Sequence, residues 1–414
     1  MDTKPGFLIS GTFDSLRYRN FVYLWLGQIT HTSALWIDMV ARPLLVLAIT
    51  GSAVHLGFVI ALRSLSSVLL GLLAGVIADS FDRRKVLLVT KIVVLILSTL
   101  FASILILGWM ELWHVYLFTF LRGASQAFDQ PARRAMIPSI VPTHLVTNAL
   151  ALSSGSMQAT RIFGAGGAGL LIAIGGLEIA FVSVALIYIA AVYFTYLMKV
   201  DMHDGKSYKG VAGLGIDFIE GVKFAWVNRT IRGVIVAAAS YFTFGIAFLY
   251  VFGPLIAKQV LEIGDSGFGY MMASMGVGGV LGSLVLARIN PSRNRGYLVV
   301  GALISIGIML VVVSVSTFYD SVLITFITVC MLGLSQSWLH PIVNATLLQE
   351  SPENMRGRML GLLSFDRALA MVGGSVAGFL SATIGPQHAQ IVFGIACVIA
   401  AFSTLAYPPM RRIN

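Results

Sequence analysis

Seven ionisable side chains stand inside long apolar runs of this sequence: Asp38, Arg42, Arg63, Arg122, Arg161, Asp366 and Arg367. In lipid each costs at least about 2.5 to 3.5 kcal/mol, so such groups face protein or a water-filled space. The chemistry open to them is narrow. A guanidinium is a fixed cation whose planar fork of donors suits carboxylates, phosphates or catecholates. A carboxylate can pair with it or exchange a proton. Asp38 and Arg42 stand four apart, where two residues of a helix meet. Asp38, Arg63 and Arg122 each lie about ten residues, or about 15 Å, from the end of their run, which places them at one depth. With Arg42, Gln126, Gln336 and Asp366 they form the candidate site for a ligand or a proton. The amides of Gln126 and Gln336 can bond a ligand or each other. The alternative for Asp38 with Arg42, and for Arg122, is a structural pair that locks helices together. His31 and His340 are lone histidines, a type that more often packs than carries protons.

Other chemistries find no support. The histidines, cysteines and carboxylates are too scattered for a nucleophile with its base or for a metal cluster, so no enzyme and no metal site is expected. Cys330 and Cys397 lie in apolar runs and read as packing residues. There is no GxxxxGK[ST] phosphate loop, so coupling to ATP is not expected and no cofactor is called for.

The elements that must position these groups are membrane helices. Of 414 residues 57% are hydrophobic and 11% charged, against about 25% charged in a soluble domain. Apolar runs of about 20 residues, enough to cross about 30 Å of hydrocarbon, recur about twelve times from 20–48 to 387–408. Runs so long and continuous satisfy their backbone as helices, not barrel strands. The first 20 residues lack a signal peptide's short apolar core and cleavage site, so no cleavage is expected. Most of the 28 basic residues fall in alternate loops, while the loops near 49–54, 109–114, 174–178 and 384–388 hold none. This is the positive-inside pattern with both termini cytoplasmic, and it accounts for the net charge of +10 without nucleic acid.

The chain repeats itself at an offset of about 210. SQAFDQP from Ser125 is echoed by SQSWLHP from Ser335, and GFVIALRSLSSVL from Gly57 by GYMMASMGVGGVL from Gly269. The reading is two pseudo-symmetric six-helix halves, 1–199 and 230–414, joined by a cytoplasmic linker at 200–229. Within the linker GIDFIEGVKFAWVNR suits an amphipathic helix on the membrane surface.

The charged loop GVIADSFDRRK follows the second run. Its spacing Gly75, Asp79, Arg83, Arg84, together with the halves and the linker, resembles the signature of the major facilitator superfamily. WIDMVARPLLVLAITGSAVHLG, AFDQPARRAMIPSIVP and GRMLGLLSFDRA are similar to the enterobactin-exporter and macrolide-efflux branch of bacterial exporters. The resemblance implies that the first, fourth, seventh and tenth helices line a central cavity. It also implies that Gly75, Asp79, Arg83 and Arg84 form a latch against the eleventh helix, near Arg356, when the inner side is closed. A helix N-terminus would hold Asp79 there by about 0.3 to 2 kcal/mol; a solvated loop that only sets orientation is the alternative. Gly164, Gly166, Gly167 and Gly169 stand where related antiporters carry a glycine motif, with Ala165 at the proline position; a coupling role and plain helix packing both remain open.

The expectation is a monomeric secondary transporter of the cytoplasmic (inner) membrane, surrounded by lipid. It would export an amphipathic small molecule, siderophore-like or drug-like, by proton antiport. The surplus of arginines over carboxylates in the first half favours an anionic cargo. A lipid or lysolipid flippase of the same fold is the runner-up, and a non-transporting receptor or scaffold the third.

Overall fold

The computed structural model describes residues 13–80, 82–200, 220–289, 295–352, 355, 359 and 366–406, with the backbone alone at 72–80, 158, 287, 289, 366, 367 and 406. The side chains of Asp79 and Asp366, and all of Arg356, lie outside that description. No strand occurs among the described residues.

The chain runs through α1 (Arg19–Thr50), α2 (Ala53–Ser80), α3 (Arg83–Ile106), α4 (Leu112–Ile140) and α5 (Val146–Leu197). It continues through α6 (Arg229–Val260), α7 (Gly264–Ile289), α8 (Arg295–Thr317), α9 (Val322–Glu350), α10 (Asp366–Ile384) and α11 (Pro386–Ala406). Polar residues mark the ends. Gly51, at φ 61°, closes α1 with its N–H on the Leu47 carbonyl. Asp82 opens α3 by accepting from the Arg84 N–H at 2.9 Å. Residues 220–227 of the linker are helical, with Trp226 exposed.

Nine helices among the described residues are long and apolar enough to cross a membrane, where the sequence suggested about twelve spans. One difference is α4, too heavily charged to pass on hydropathy because it carries Arg122, Asp129, Arg133 and Arg134. Another is α5, whose 52 residues would reach about 78 Å as one rod. It breaks at Gly175 and Gly176, the latter at φ 72° in the left-handed region. Its first arm rises beside α1, with Gln28 donating to the Ser153 carbonyl and Thr160 to Thr32. Its second arm descends, with Tyr188 on His31 and the Lys199 N–H donating to Asn20. The break is therefore a hairpin turn.

Two helices that carry the repeated SQ segment match in length and proline position. Helices α4 and α9 are each 29 residues long, and each carries a proline at the repeat position, Pro131 and Pro341. Two seams join the early helices to the late ones, α2 along α10 and α5 along α7. Backbones touch at both. A Cβ on Gly57 would lie 2.7 Å from the Gly374 carbonyl oxygen, and one on Gly169 would lie 2.9 Å from that of Ser266. Residues 53–57, 166–169 and 374–378 sit towards the end of the bundle that carries the turns at Gly51, Gly176 and Gly385, so that end is drawn shut.

Candidate functional site

At mid-depth α1, α2, α4, α6 and α10 enclose a cavity of about 210 Å³. Its polar wall is the group expected from spacing. Arg42 grips Asp38 with both arms of its fork, Nη2 to Oδ1 at 2.5 Å and Nε to Oδ2 at 3.2 Å. Arg122 of α4 reaches the same carboxylate at 3.4 Å. Asp38 and Arg42 are both buried. Arg42 is further fixed by Thr119 at 3.3 Å and by the face of Phe101, 4.6 Å from its ring centre. Its donors are spent on the protein. The other two arginines are freer. Arg63 of α2 donates to the Gln126 amide oxygen at 3.1 Å, and the Nη2 of Arg122 is buried without a hydrogen-bond partner.

The opposite wall is apolar. Phe242, Ile246 and Tyr250 of α6 face the cavity four residues apart. Helix α6 contains three π-helical stretches, Tyr241–Gly245, Phe248–Phe252 and Ile256–Val260, and the widened turns keep such residues nearly in line. A cation-lined face against an aromatic one suits an amphipathic ligand with an acidic end.

Several expected residues stand elsewhere. Gln336 is not among the residues that line the cavity; it donates to the Gly245 carbonyl at 3.1 Å, so the two glutamines do not meet. The repeat explains why. Gln126 is engaged by Arg63, and the position equivalent to Arg63 is Met275, fully buried and unable to bond an amide. The side chain of Asp366 lies outside the described residues; Ala370, one turn along α10, lines the cavity. Arg161 lies against Trp36 at the α5 seam, 5.4 Å from the ring centre. Arg83 and Arg84 bond carbonyls within the early helices, those of Ala135 and Tyr196; Asp79 and the backbone near Gly75 offer no described side-chain contact. Gly164 packs on Trp36 and Ser33 of α1, Gly166 on Ala273 of α7 and Gly169 on Ser266 of α7, whereas a side chain at Gly167 would meet nothing within 4 Å. Gly167 is thus no packing position.

Sequence reasoning missed a second polar cluster one step below. His31, Lys91, Asp129 and Tyr188 surround a small cavity of about 10 Å³ that shares Arg122 and Gln126 with the larger one. All four are buried. Lys91 enters because α1 has Gly27 there: its ammonium donates to the Gly27 carbonyl at 3.3 Å, and a Cβ on Gly27 would lie 3.1 Å from it.

A family model described as transmembrane secretion effector matches residues 10–411. The staphyloferrin A transporter of Staphylococcus aureus is 22% identical over 89% of this chain and 91% of its own length. The multidrug efflux pump Tap of Mycolicibacterium fortuitum is 22% identical over 91% and 93%, and macrolide efflux protein A of Streptococcus pyogenes 23% identical over 95% and 97%. Among solved structures, a bacterial homologue of the lysosomal transporter Spinster, in an inward-facing, unoccupied conformation, superposes with a TM-score of 0.75. It is 14% identical and covers 98% of this chain and 99% of that one.

Proposed function

We propose, on the premise that this chain belongs to the transmembrane secretion effector family of the major facilitator superfamily, that it exports an acidic amphipathic small molecule in exchange for protons. It is a multi-pass cell-membrane transporter, not an enzyme. The finer reading is a chain of twelve spans in two six-helix halves, with both termini in the cytoplasm. The halves rock about the central cavity and expose it to each side in turn. The repeat of α4 in α9 and the two glycine seams support that arrangement. The seams at the Gly51, Gly176 and Gly385 end hold the two sets of helices together there.

One observation carries the cargo assignment: among the described side chains three guanidinium groups line the cavity, a single carboxylate serves two of them, and one buried Arg122 donor has no partner. A carboxylate or catecholate on the cargo would satisfy that donor and Arg63 together. Two of the relatives are named for a staphyloferrin and for macrolides, and the arginines favour the acidic class. At about 210 Å³ the cavity is below the roughly 300–1,000 Å³ of small-molecule sites, so loading widens it. Asp38 takes part in coupling, because a cargo acid that binds Arg122 competes with Asp38 for the same fork. The motif around Gly75, Asp79, Arg83 and Arg84 acts as a latch on the inner side.

Uptake into inverted membrane vesicles tests the reading, with staphyloferrin A, erythromycin and lysophosphatidylcholine as probes and with or without a proton gradient. Gradient-driven uptake of the acidic probe supports it. Transport of the basic macrolide alone, or of any probe without regard to the gradient, overturns it.

A further inference from the structure

The small cavity below the cargo site holds groups that the transport of an acid does not use. His31 and Asp38 are seven residues apart on α1, and Arg122 and Asp129 seven apart on α4. The helices are antiparallel, so the pairs face each other as two rungs about 10 Å apart. The upper rung places its anion, Asp38, on α1 and its cation, Arg122, on α4, at 3.4 Å. The lower rung faces the other way: His31 Nε2 on α1 stands 3.9 Å from Asp129 Oδ2 on α4. That gap is longer than a hydrogen bond.

We propose that this lower rung is the proton site of the transporter. The assignment rests on the reading of the chain as a proton-coupled exporter and names a carrier besides Asp38. His31 is the one buried histidine among the described residues, and an imidazole is the side chain whose ordinary titration spans the physiological range. Its Nδ1 is held by the Tyr188 hydroxyl at 3.0 Å, which leaves Nε2 directed at the carboxylate. Asp129 accepts from Arg133 at 3.2 Å through Oδ2, while its buried Oδ1 has no partner. The groups that face His31 are thus Lys91 from α3, Arg122, Asp129 and Arg133 from α4, and Tyr188 from α5.

The step is a simple proton binding. Water delivers a proton to the imidazole, one N–H bond forms, and the imidazolium pairs with Asp129. The same proton returns to water on the other side, and nothing is oxidised or reduced. The cavity of about 10 Å³ is near the least volume that admits one water, enough for a relay between the imidazole and the free carboxylate oxygen. Mechanical coupling follows from the shared helix. Protonation draws α4 to α1 at the lower rung, and a cargo acid on Arg122 releases α4 from α1 at the upper one. Proton and cargo thus bias one helix pair in opposite senses, as antiport requires.

The test uses full-length protein in lipid nanodiscs, labelled with ¹⁵N-histidine. Wild type should show one imidazole resonance, absent in His31→Gln, that changes from neutral to imidazolium as the pH is lowered. Tyr188→Phe, which removes the Nδ1 partner, should move that same resonance and so assigns it even where His31→Gln folds poorly. In vesicles His31→Gln should lose gradient-driven uptake of staphyloferrin A by about tenfold or more, while exchange at equal pH on both sides stays near wild type. A His31 resonance that stays neutral across the whole range overturns the proposal, as does wild-type gradient dependence in His31→Gln. Absence of any gradient dependence in wild type would instead overturn the antiport reading, with the His31 titration still deciding the site.

Discussion

The upper rung is the strongest test of whether the arginines are placed for work. In Asp38→Asn the carboxylate that takes two bonds from Arg42 and stands 3.4 Å from Arg122 loses its charge. The amide oxygen can still accept one bond, but two buried guanidinium groups are left facing each other. Removing one partner of a buried pair costs about 3–5 kcal/mol, most of it the penalty of the charge left behind. The double variant Asp38→Asn/Arg42→Gln removes one of those orphans. It should be less destabilised than the sum of the single variants, with a coupling of about 0.5–3 kcal/mol. Purified protein in nanodiscs, unfolded by heat with intrinsic fluorescence as the signal, supplies the comparison. The same Asp38→Asn protein should lose gradient-driven uptake in vesicles while it still exchanges cargo at equal pH. A single variant as stable as wild type, or a double variant that loses the full sum, refutes the shared-carboxylate argument.

Arg63→Gln should leave thermal stability almost unchanged, since Arg63 bonds one neutral amide. It should weaken binding of staphyloferrin A by about tenfold to a hundredfold, the equivalent of one charge-assisted bond, as read by calorimetry. Asp79→Asn should insert and fold normally yet turn over slowly, because a latch contact of about 0.3–2 kcal/mol acts in one state only; wild-type turnover by well-expressed protein excludes the latch. Gly378→Ala would place a Cβ 2.7 Å from the Ala53 carbonyl oxygen. It should therefore shift the population away from the form shut at that end, seen as faster labelling of a cysteine introduced at Gly51; unchanged labelling would show that the seam can yield.

Much of this was legible because lipid leaves few solutions. Apolar runs about 20 residues long had to be helices, and Asp38 with Arg42 had to share a helix face once they were four apart. Depth counting brought Arg122 to Asp38 because both sit near the middle of their helices. The lower cluster escaped for physical reasons. Lys91 stands two turns into α3, where a long side chain commonly reaches water; only the missing side chain of Gly27 lets it turn inward. His31 reads as a packing residue until α4 is set antiparallel beside α1, when its seven-residue step to Asp38 matches that from Arg122 to Asp129. The two glutamines misled in the opposite direction. Symmetry of sequence suggested symmetry of role, but Met275 in place of an arginine removed the partner. The π-helical stretches of α6 were not expected from its residues.

The charge load of α4 also bears on how the protein is made. A helix that carries Arg122, Asp129, Arg133 and Arg134 meets a penalty of about 2.5 to 3.5 kcal/mol for each charge near the bilayer centre when it leaves the translocon alone. Three of its neighbours have emerged before it: α1 brings Asp38 and His31, α2 brings Arg63 opposite Gln126, and α3 brings Ser98 within reach of Arg122. Synthesis order thus supplies the partners ahead of the helix that needs them. Integration of α4 is an act of assembly with α1, not a partition of an isolated segment into lipid, and a chain that begins after α1 should leave α4 outside the bilayer for quality control to remove.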